Sequence, residues 1–403
     1  MRKYSNLCLS VAVNREFVAE LNKKGGKGQD SSIALARELV EGFEELGEPF
    51  DLITGYSVPD FRTYDDIIIP RRQWSHREGN INIDVSFLNL PYINRLSKGF
   101  SMRKEALKWA KRQKNDIQIF VYCAHSPFLM AAVAVKKKYP SAKLCVMIGD
   151  LPQYMDGSMS AFKKFLKKID YELINKYLNY ADSLVFSNKA ASKVIQGSSK
   201  NIAMVEGVAG KTSVDLCSLS GNKKILLYSG ALGVNCGIQE LLDIFMRTKG
   251  DDYELWFTGK GVMEGKISEA SQNDARIRYI GYLDTQEELH DIQRKATAFA
   301  SVRPPDNLFS KYSFPSKIME YLPYGRPILA FKSEGIPDEY DDFLTYMNFF
   351  DYNMAAKTVS AALETEHIEL EEKKQAIELF LQSKNKKAQA KKILELFRNF
   401  DGL

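Results

Sequence analysis

KILLYSGALGVNCGIQELLDIF, residues 224–245, reads as one strand, one turn and one helix. Lys224–Ser229 is a short apolar run that ends at Gly230, and the stretch from Gly237 to Phe245 sets Ile238, Leu241 and Leu242 on one face. The same alternation runs outward in both directions. Downstream, Tyr253–Thr258, Arg278–Ile280, Ala296–Ala300 and Pro327–Phe331 are strand candidates, with helical patterns beginning near Val262, Gln286 and Pro315. Upstream, Asn6–Val13, Phe50–Thr54, Ile117–Tyr122, Lys143–Ile148, Ser183–Phe186 and Ile202–Val205 are separated by helical stretches such as Ser32–Leu46 and Met102–Arg112. Repeated βα units of this length predict parallel sheets. The fold class is α/β, with two Rossmann-like doubly wound domains expected. The stretch Val205–Asn222 breaks the periodicity and is rich in Gly and Ser, which makes it the inter-domain linker. Glu371–Phe400 reads as one or two helices with no strand after them.

The 403 residues are 45% apolar and 27% charged, which excludes a disordered chain and fits two domains. Five scattered cysteines without a C-x-x-C pair, and only four histidines, argue against a disulfide frame or a metal centre. They are expected as small buried hydrophobes of a reducing compartment. No apolar run reaches the ~20 residues of a membrane span, and the N-terminus reads as a first strand and not a signal peptide. Charge is uneven. Residues 1–200 hold 31 Lys and Arg against 21 Asp and Glu, a balance of +10, whereas residues 201–403 hold 25 against 30. Such a split points to different partners for the two halves.

In doubly wound folds ligands sit outside the carboxyl ends of the strands, so the loops there carry the chemistry. The segment Phe314–Leu322, FPSKIMEYL, opens a helix with proline, with Ser313 as the expected cap. That start leaves the N–H groups of Ser316 and Lys317 open to an anion. The Ser316 hydroxyl and Lys317 ammonium suit a diphosphate, and Glu320, one turn on, suits a ribose hydroxyl. The alternative is a capped amphipathic helix with a Lys–Glu pair. Two more turns, Ser229-Gly230 and Thr258-Gly259-Lys260-Gly261, follow strands, and glycine there permits close backbone approach. Neither is G-x-G-x-x-G, which disfavours NAD. In the first half, Gly25-Gly26-Lys27-Gly28 is too loose for a Walker A loop, His125 ends a strand in Cys123-Ala124-His125-Ser126-Pro127, and Asp150 holds an equivalent place. For each of these three a structural role competes with a ligand role.

Taken in order, Tyr228-Ser229-Gly230, Gly237-Ile238 with Leu241-Leu242, Thr258–Gly261, Gly281-Tyr282-Leu283 and FPSKIMEYLPYGRPILA (Phe314–Ala330) resemble retaining glycosyltransferases of family 4. Together with Gly335–Tyr340 they resemble the enzymes of bacterial capsular and exopolysaccharide clusters. The resemblance is dense over about residues 224–345 and thin before. It implies the GT-B fold, two Rossmann-like domains facing across a cleft. Residues 1–205 would form the acceptor domain, 206–385 the nucleotide-sugar domain, and 386–403 a terminal helix packing back on the first. It implies a metal-independent hexosyl transfer with retention, from a nucleotide-diphosphate sugar to a glycan hydroxyl. No cofactor is implied, and a UDP-sugar is the expected donor substrate. Carried over by residue, Gly230, Ser316 and Lys317 would hold the diphosphate, with Gly28, Ser229 and Gly259 lining the donor loops. Glu320 would bind the ribose, the backbone at Tyr282 and Leu283 the base, and His125 would contact the transferred sugar, so that His125 and Lys317 carry the catalysis. Ala231 and Cys236 stand where many relatives have basic residues, and Tyr312 stands where the family has its first acidic residue. Leaving-group charge would then rest on Lys317 with Arg303, Lys311 or Lys260. A catalytically silent GT-B binding protein and a sugar-nucleotide epimerase are the alternatives.

Two basic stretches remain. Arg95–Lys114 carries eight basic and one acidic side chain around Phe100, Leu107 and Trp109. Ala161–Tyr180 aligns Phe162, Phe165, Leu166, Ile169 and Leu173, with lysines elsewhere on the helix. Either their apolar faces cover the sheet, or they dock on an anionic membrane surface. No nucleic-acid motif accompanies the charge. The expectation is a cytoplasmic enzyme, peripheral at the inner face of the plasma membrane, with a lipid-linked acceptor.

Overall fold

A computed structural model describes residues 4–11, 14–23, 30–56, 58, 66–149, 161–195, 201–216, 222–283 and 285–398. Gly28, Asp150 and Cys217 lie outside the described residues. The chain divides into two compact units, one of Met1–Ser187, Ala191–Val208 and Lys386–Leu403, the other of Asn188–Ala190 and Ala209–Asn385.

In the first unit the elements run β1 (Tyr4–Ser10), α1 (Arg15–Lys23), α2 (Asp30–Glu45), β2 (Asp51–Thr54), β3 (Ile68–Ile69), β4 (Arg72–Trp74), β5 (Asn82–Asp84), β6 (Phe87–Leu88), α3 (Asn94–Ala110), β7 (Asp116–Val121), α4 (Ser126–Lys138), β8 (Lys143–Ile148), α5 (Ala161–Leu178), β9 (Ser183–Phe186), α6 (Lys189–Val194) and β10 (Asn201–Met204). Eight strands form one sheet in the order β10-β9-β8-β7-β1-β2-β5-β4. All neighbours are parallel except β4, which runs antiparallel to β5. The central strands β1, β7 and β8 are buried over most of their length, as expected of parallel strands covered by helices on both faces.

The second unit follows with β11 (Lys224–Ser229), α7 (Ile238–Phe245), β12 (Tyr253–Thr258), α8 (Glu264–Asn273), β13 (Ile277–Gly281), α9 (Gln286–Arg294), β14 (Ala298–Ser301), α10 (Leu308–Tyr312), α11 (Lys317–Tyr321), β15 (Ile328–Ala330), β16 (Thr345–Tyr346), α12 (Tyr352–Leu363) and α13 (His367–Ser383). Its sheet is fully parallel, ordered β13-β12-β11-β14-β15-β16. The order reverses beside β11, which therefore holds the switch point where such sheets bind ligands. One face is covered by Ile238, Leu241, Leu242 and Phe245, and the other by Ile318, Tyr321 and Leu322 around Phe299. The last helix, α14 (Lys386–Arg398), belongs to the first unit. Lys386 pairs with Glu41 and Glu45 of α2, each at 3.0 Å, and Gly42 admits it because a Cβ there would lie 2.3 Å from the Lys386 carbonyl oxygen.

Burial divides the apolar residues of the two basic helices. The apolar stripe of α5 is buried only toward its C-terminal end, at Ile174 and Leu178, while Phe162, Phe165 and Ile169 stand 57%, 59% and 47% exposed. In α3 the reverse holds for Trp109, which is buried and donates its indole N–H to Asp51 at 2.8 Å, while Phe100 is exposed.

Candidate active site

Three consecutive strand ends of the second unit are laced together by backbone hydrogen bonds. Gly230 N–H donates to the Thr258 carbonyl (2.8 Å), Leu232 N–H to Lys260 (2.9 Å), and Gly259 N–H to Gly281 (2.9 Å). The turns after β11, β12 and β13 thus form one platform that contains Ser229, Gly230, Gly259 and the backbone leading to Tyr282 and Leu283. Glycine is obligatory at two places in it. Gly259 has φ +134°, and a Cβ there would fall 1.8 Å from the Gly230 carbonyl oxygen. Gly230 has φ +132°, and a Cβ there would fall 1.5 Å from Lys317 Nζ.

Lys317 is the centre of the arrangement. Its stem is half-buried, and its ammonium reaches inward to donate to the Ser229 carbonyl, 5.2 Å from the Tyr228 ring centroid. Burial lowers its pKa; the Glu320 carboxylate opposes the shift and the Arg303 guanidinium adds to it. Tyr321, one turn along the same face, fixes the strand end beneath: its Oη accepts from Ser229 N–H at 3.0 Å and lies 3.1 Å from Ser229 Oγ. A buried polar chain continues from there. Gln293 Nε2 donates to Ser229 Oγ (3.5 Å), the Tyr324 hydroxyl donates to Gln293 Oε1 (2.8 Å), and His290 Nδ1 lies 2.7 Å from that hydroxyl. Tyr321, Gln293 and Tyr324 were not singled out from sequence. The i, i+4 spacing of Lys317 and Tyr321 was the available signal.

The helix start differs from expectation. The cap is Ser316, without a side-chain cap bond, and not Ser313. Ser313 instead ends α10 in an extended conformation, where its carbonyl and hydroxyl accept from Arg303 at 3.4 and 3.3 Å. The helix α11 is five residues long and passes into a 3-10 turn at Leu322–Tyr324, so the charge near Ser316 comes from the Lys317 ammonium more than from a helix dipole. Gly230 likewise supplies room and not a donor, since its N–H is committed to Thr258. Ser316 and Glu320 are exposed. At the far end of the platform Tyr282 is exposed, with Lys260 Nζ 4.1 Å above its ring, and Leu283 is half-buried beside it.

His125 belongs to the first unit. It caps α4 with backbone only, its ring tilted against Phe128 at 5.4 Å and reaching solvent. Surrounding protein, together with the cations of Arg95 and Lys98, lowers its pKa to about 4, so it is a neutral imidazole at pH 7. Lys98 belongs to the basic stretch Arg95–Lys114, yet it is 8% exposed, donates to the Tyr56 carbonyl and lies 4.4 Å from the Phe87 ring centroid. Burial and Arg95 lower its pKa to about 7. Among the described residues no three His, Cys, Asp or Glu side chains gather as a metal site, and no helix is long and apolar enough to cross a membrane.

Two parallel sheets with helices on both faces, each a Rossmann-like unit, make this a GT-B fold. The particular likeness is sharper in the second unit: residues 223–365 match the family described as glycosyl transferases group 1. Among solved structures, the apo lipopolysaccharide outer core galactosyltransferase WaaB is 13% identical, with 99% of this chain and 100% of that one covered at a TM-score of 0.62. Apo OtsA is 10% identical over 98% and 99%, with a TM-score of 0.67. A UDP-forming trehalose-phosphate synthase from Burkholderia xenovorans is 12% identical over 100% of both chains, with a TM-score of 0.66. No curated protein sequence matches the chain.

Proposed function

We propose that this chain is a glycosyltransferase that moves a hexosyl group, with retention and without a metal, from a nucleoside-diphosphate sugar to a hydroxyl of a lipid-linked glycan in surface polysaccharide synthesis. The observation that carries this reading is the convergence of Ser229, Gly230, Gly259 and Lys317 at the switch point of a fully parallel sheet, inside the segment that matches the glycosyltransferase family. As the anomeric C–O bond breaks, negative charge grows on the leaving diphosphate. A part-desolvated ammonium, held in place by a carbonyl, stabilises that charge more than water would. The Ser316 hydroxyl adds a donor at the same turn, Glu320 faces the ribose and the Tyr282–Leu283 backbone faces the base. His125, neutral at pH 7, contributes a hydrogen bond to the transferred sugar and no charge. The donor is a UDP-sugar in this reading, and no resident cofactor takes part.

A membrane-bound acceptor is supported by one surface. Phe100 of α3 and Phe162, Phe165 and Ile169 of α5 are exposed large hydrophobics, Tyr92 meets Phe162 edge-on at 5.5 Å, and Arg95 bonds Asp170 across the two helices at 2.6 Å. Arg103, Lys104, Lys108, Lys164 and Lys168 are exposed along the same helices. An apolar patch ringed by cations suits the face of an anionic bilayer, and supports a peripheral position on its cytoplasmic leaflet. The test is release of nucleoside diphosphate from a panel of UDP-, GDP- and ADP-sugars, with and without lipid extract. Release by the wild type and its loss in Lys317→Ala supports the reading. No release from any donor, or conversion of the donor sugar into its epimer with no diphosphate freed, contradicts it.

A further inference from the structure

The first unit buries a cation beside His125. Lys98 stands on α3 one residue before Gly99, where that helix crosses the first turn of α4: a Cβ on Gly99 would lie 3.4 Å from Pro127 Cα and 2.5 Å from Met130 Cε. The crossing lays the lysine stem over the end of β2. A Cβ on Gly55 would meet Lys98 Cδ at 2.9 Å and Phe128 Cε1 at 3.1 Å, and the Phe128 ring is the one tilted against His125. The ammonium then reaches the Tyr56 carbonyl, with the Phe87 ring centroid 4.4 Å away. Among the described residues no carboxylate pairs with it. Arg95, one turn earlier on α3, is different, because Asp170 neutralises it at 2.6 Å. His125 is uncharged at pH 7 and feels both cations. With Lys98 protonated, the group of His125, Lys98, Arg95 and Asp170 therefore carries one unbalanced positive charge.

Such a group is costly to the fold. A methionine would fill the space between Gly55, Met102 and Phe87 without desolvating an ammonium, so packing alone does not account for the lysine. One ammonium is matched by one carboxylate, whereas a phosphate monoester would bring about two charges. We infer that Lys98 is a specificity residue for an acidic sugar, its ammonium taking the carboxylate of a hexuronic acid while His125 contacts the same sugar. The inference rests on the reading of His125 as a contact of the transferred sugar, and deepens it by naming the class of sugar. His125 opens to solvent, and the Tyr56 carbonyl keeps the ammonium beside it. An ion pair in such a part-desolvated place is stronger than in water. A neutral hexose leaves the ammonium with no charge to meet, so the preference arises as much from what the neutral sugar lacks as from what the acid gains.

Titration calorimetry of the full chain separates the outcomes. The probes are UDP-glucose with UDP-glucuronate, UDP-galactose with UDP-galacturonate, GDP-mannose with GDP-mannuronate, and bare UDP and GDP. The wild type should bind the acid of one pair at least ~10-fold more tightly than its neutral partner, as expected for a hydrogen bond between charged groups. Lys98→Met should abolish that preference and leave the neutral sugar nucleotide and the bare diphosphate within about twofold. Lys98→Gln, which removes the charge and keeps a donor for the Tyr56 carbonyl, decides the matter if Lys98→Met does not fold. A wild type that prefers the acid in no pair overturns the inference while leaving the donor site standing. A preference for the acid that survives in both variants overturns it too, since the carboxylate then binds elsewhere. Equal loss for acid, neutral sugar and bare diphosphate assigns Lys98 to the scaffold through the Tyr56 carbonyl, and also overturns it. A wild type that binds neither diphosphate nor any of the sugar nucleotides removes the donor reading, and the inference with it.

Discussion

Gly230→Ala is the sharpest single-atom probe of the site. A Cβ at this position would sit 1.5 Å from Lys317 Nζ and 2.7 Å from Cε, so the lysine must leave the Ser229 carbonyl or the turn must move. The backbone is also at φ +132°, where a side chain is strained by about 1–3 kcal/mol. At about 2–4 °C per kcal/mol for a unit of this size, the melting temperature should fall by about 2–12 °C without loss of the fold. The larger effect is on the ligand. If Lys317 is displaced, the diphosphate loses a charge-assisted hydrogen bond, about 1.5–3 kcal/mol, which is roughly a 10- to 150-fold rise in Kd. Calorimetry with UDP and GDP, beside a thermal melt and a far-UV spectrum, measures both. A folded Gly230→Ala protein that binds its diphosphate as tightly as the wild type would refute the idea that this turn and Lys317 together receive the phosphates.

The remaining predictions concern the first unit. His125→Ala should lower turnover far more than nucleotide affinity, as the proposed contact of its ring with the transferred sugar requires; parallel loss of both in steady-state kinetics and calorimetry returns His125 to a structural role. Sedimentation with phosphatidylglycerol vesicles should show binding that weakens steeply between 0.1 and 1 M salt, as the Debye length falls from about 10 to about 3 Å. Phe165→Asp should weaken it further; no sedimentation at low salt would deprive the lipid-linked acceptor of its support. Lys98 carries a pKa lowered to about 7 by burial and Arg95. The unfolded chain therefore holds a proton that the folded one lacks between about pH 7 and 10, and the stability contributed at this site rises with pH across that window, by at most ~1.4 kcal/mol per unit. Lys98→Met should stabilise most at pH 6 and progressively less toward pH 9.5; a gain in urea midpoint that does not change with pH would show that the lysine keeps its proton on folding.

The strands were legible because each parallel strand buried on both faces is a nearly unbroken apolar run; Lys143–Ile148, Lys224–Ser229 and Tyr253–Thr258 fall where the sequence puts them. The short β3 and β6 pair was not, since two residues of ladder leave no period to read. In the second unit, the turns at Gly230 and Gly259 and the Pro315 segment were legible as glycine and proline after strands, and the structure brings them together. What sequence could not supply is direction and depth. A periodic stripe says that Phe162, Phe165 and Ile169 share a face of α5, and says nothing about whether that face meets the sheet or solvent. Lys98 lies within a run of basic residues and is buried only because α3 lays it against the end of β2, under Tyr56 and Phe87. Ser313 looked like a helix cap until Arg303, ten residues upstream, claimed its oxygen atoms.

The central claim is that Lys317, standing over the Gly230 turn, receives the diphosphate of a sugar nucleotide. Titration of the wild type and of Lys317→Ala with UDP and GDP tests it most directly. The account predicts one-to-one binding of at least one of these to the wild type, and a loss of at least ~10-fold on removing the ammonium. Binding that is the same in both proteins would contradict it.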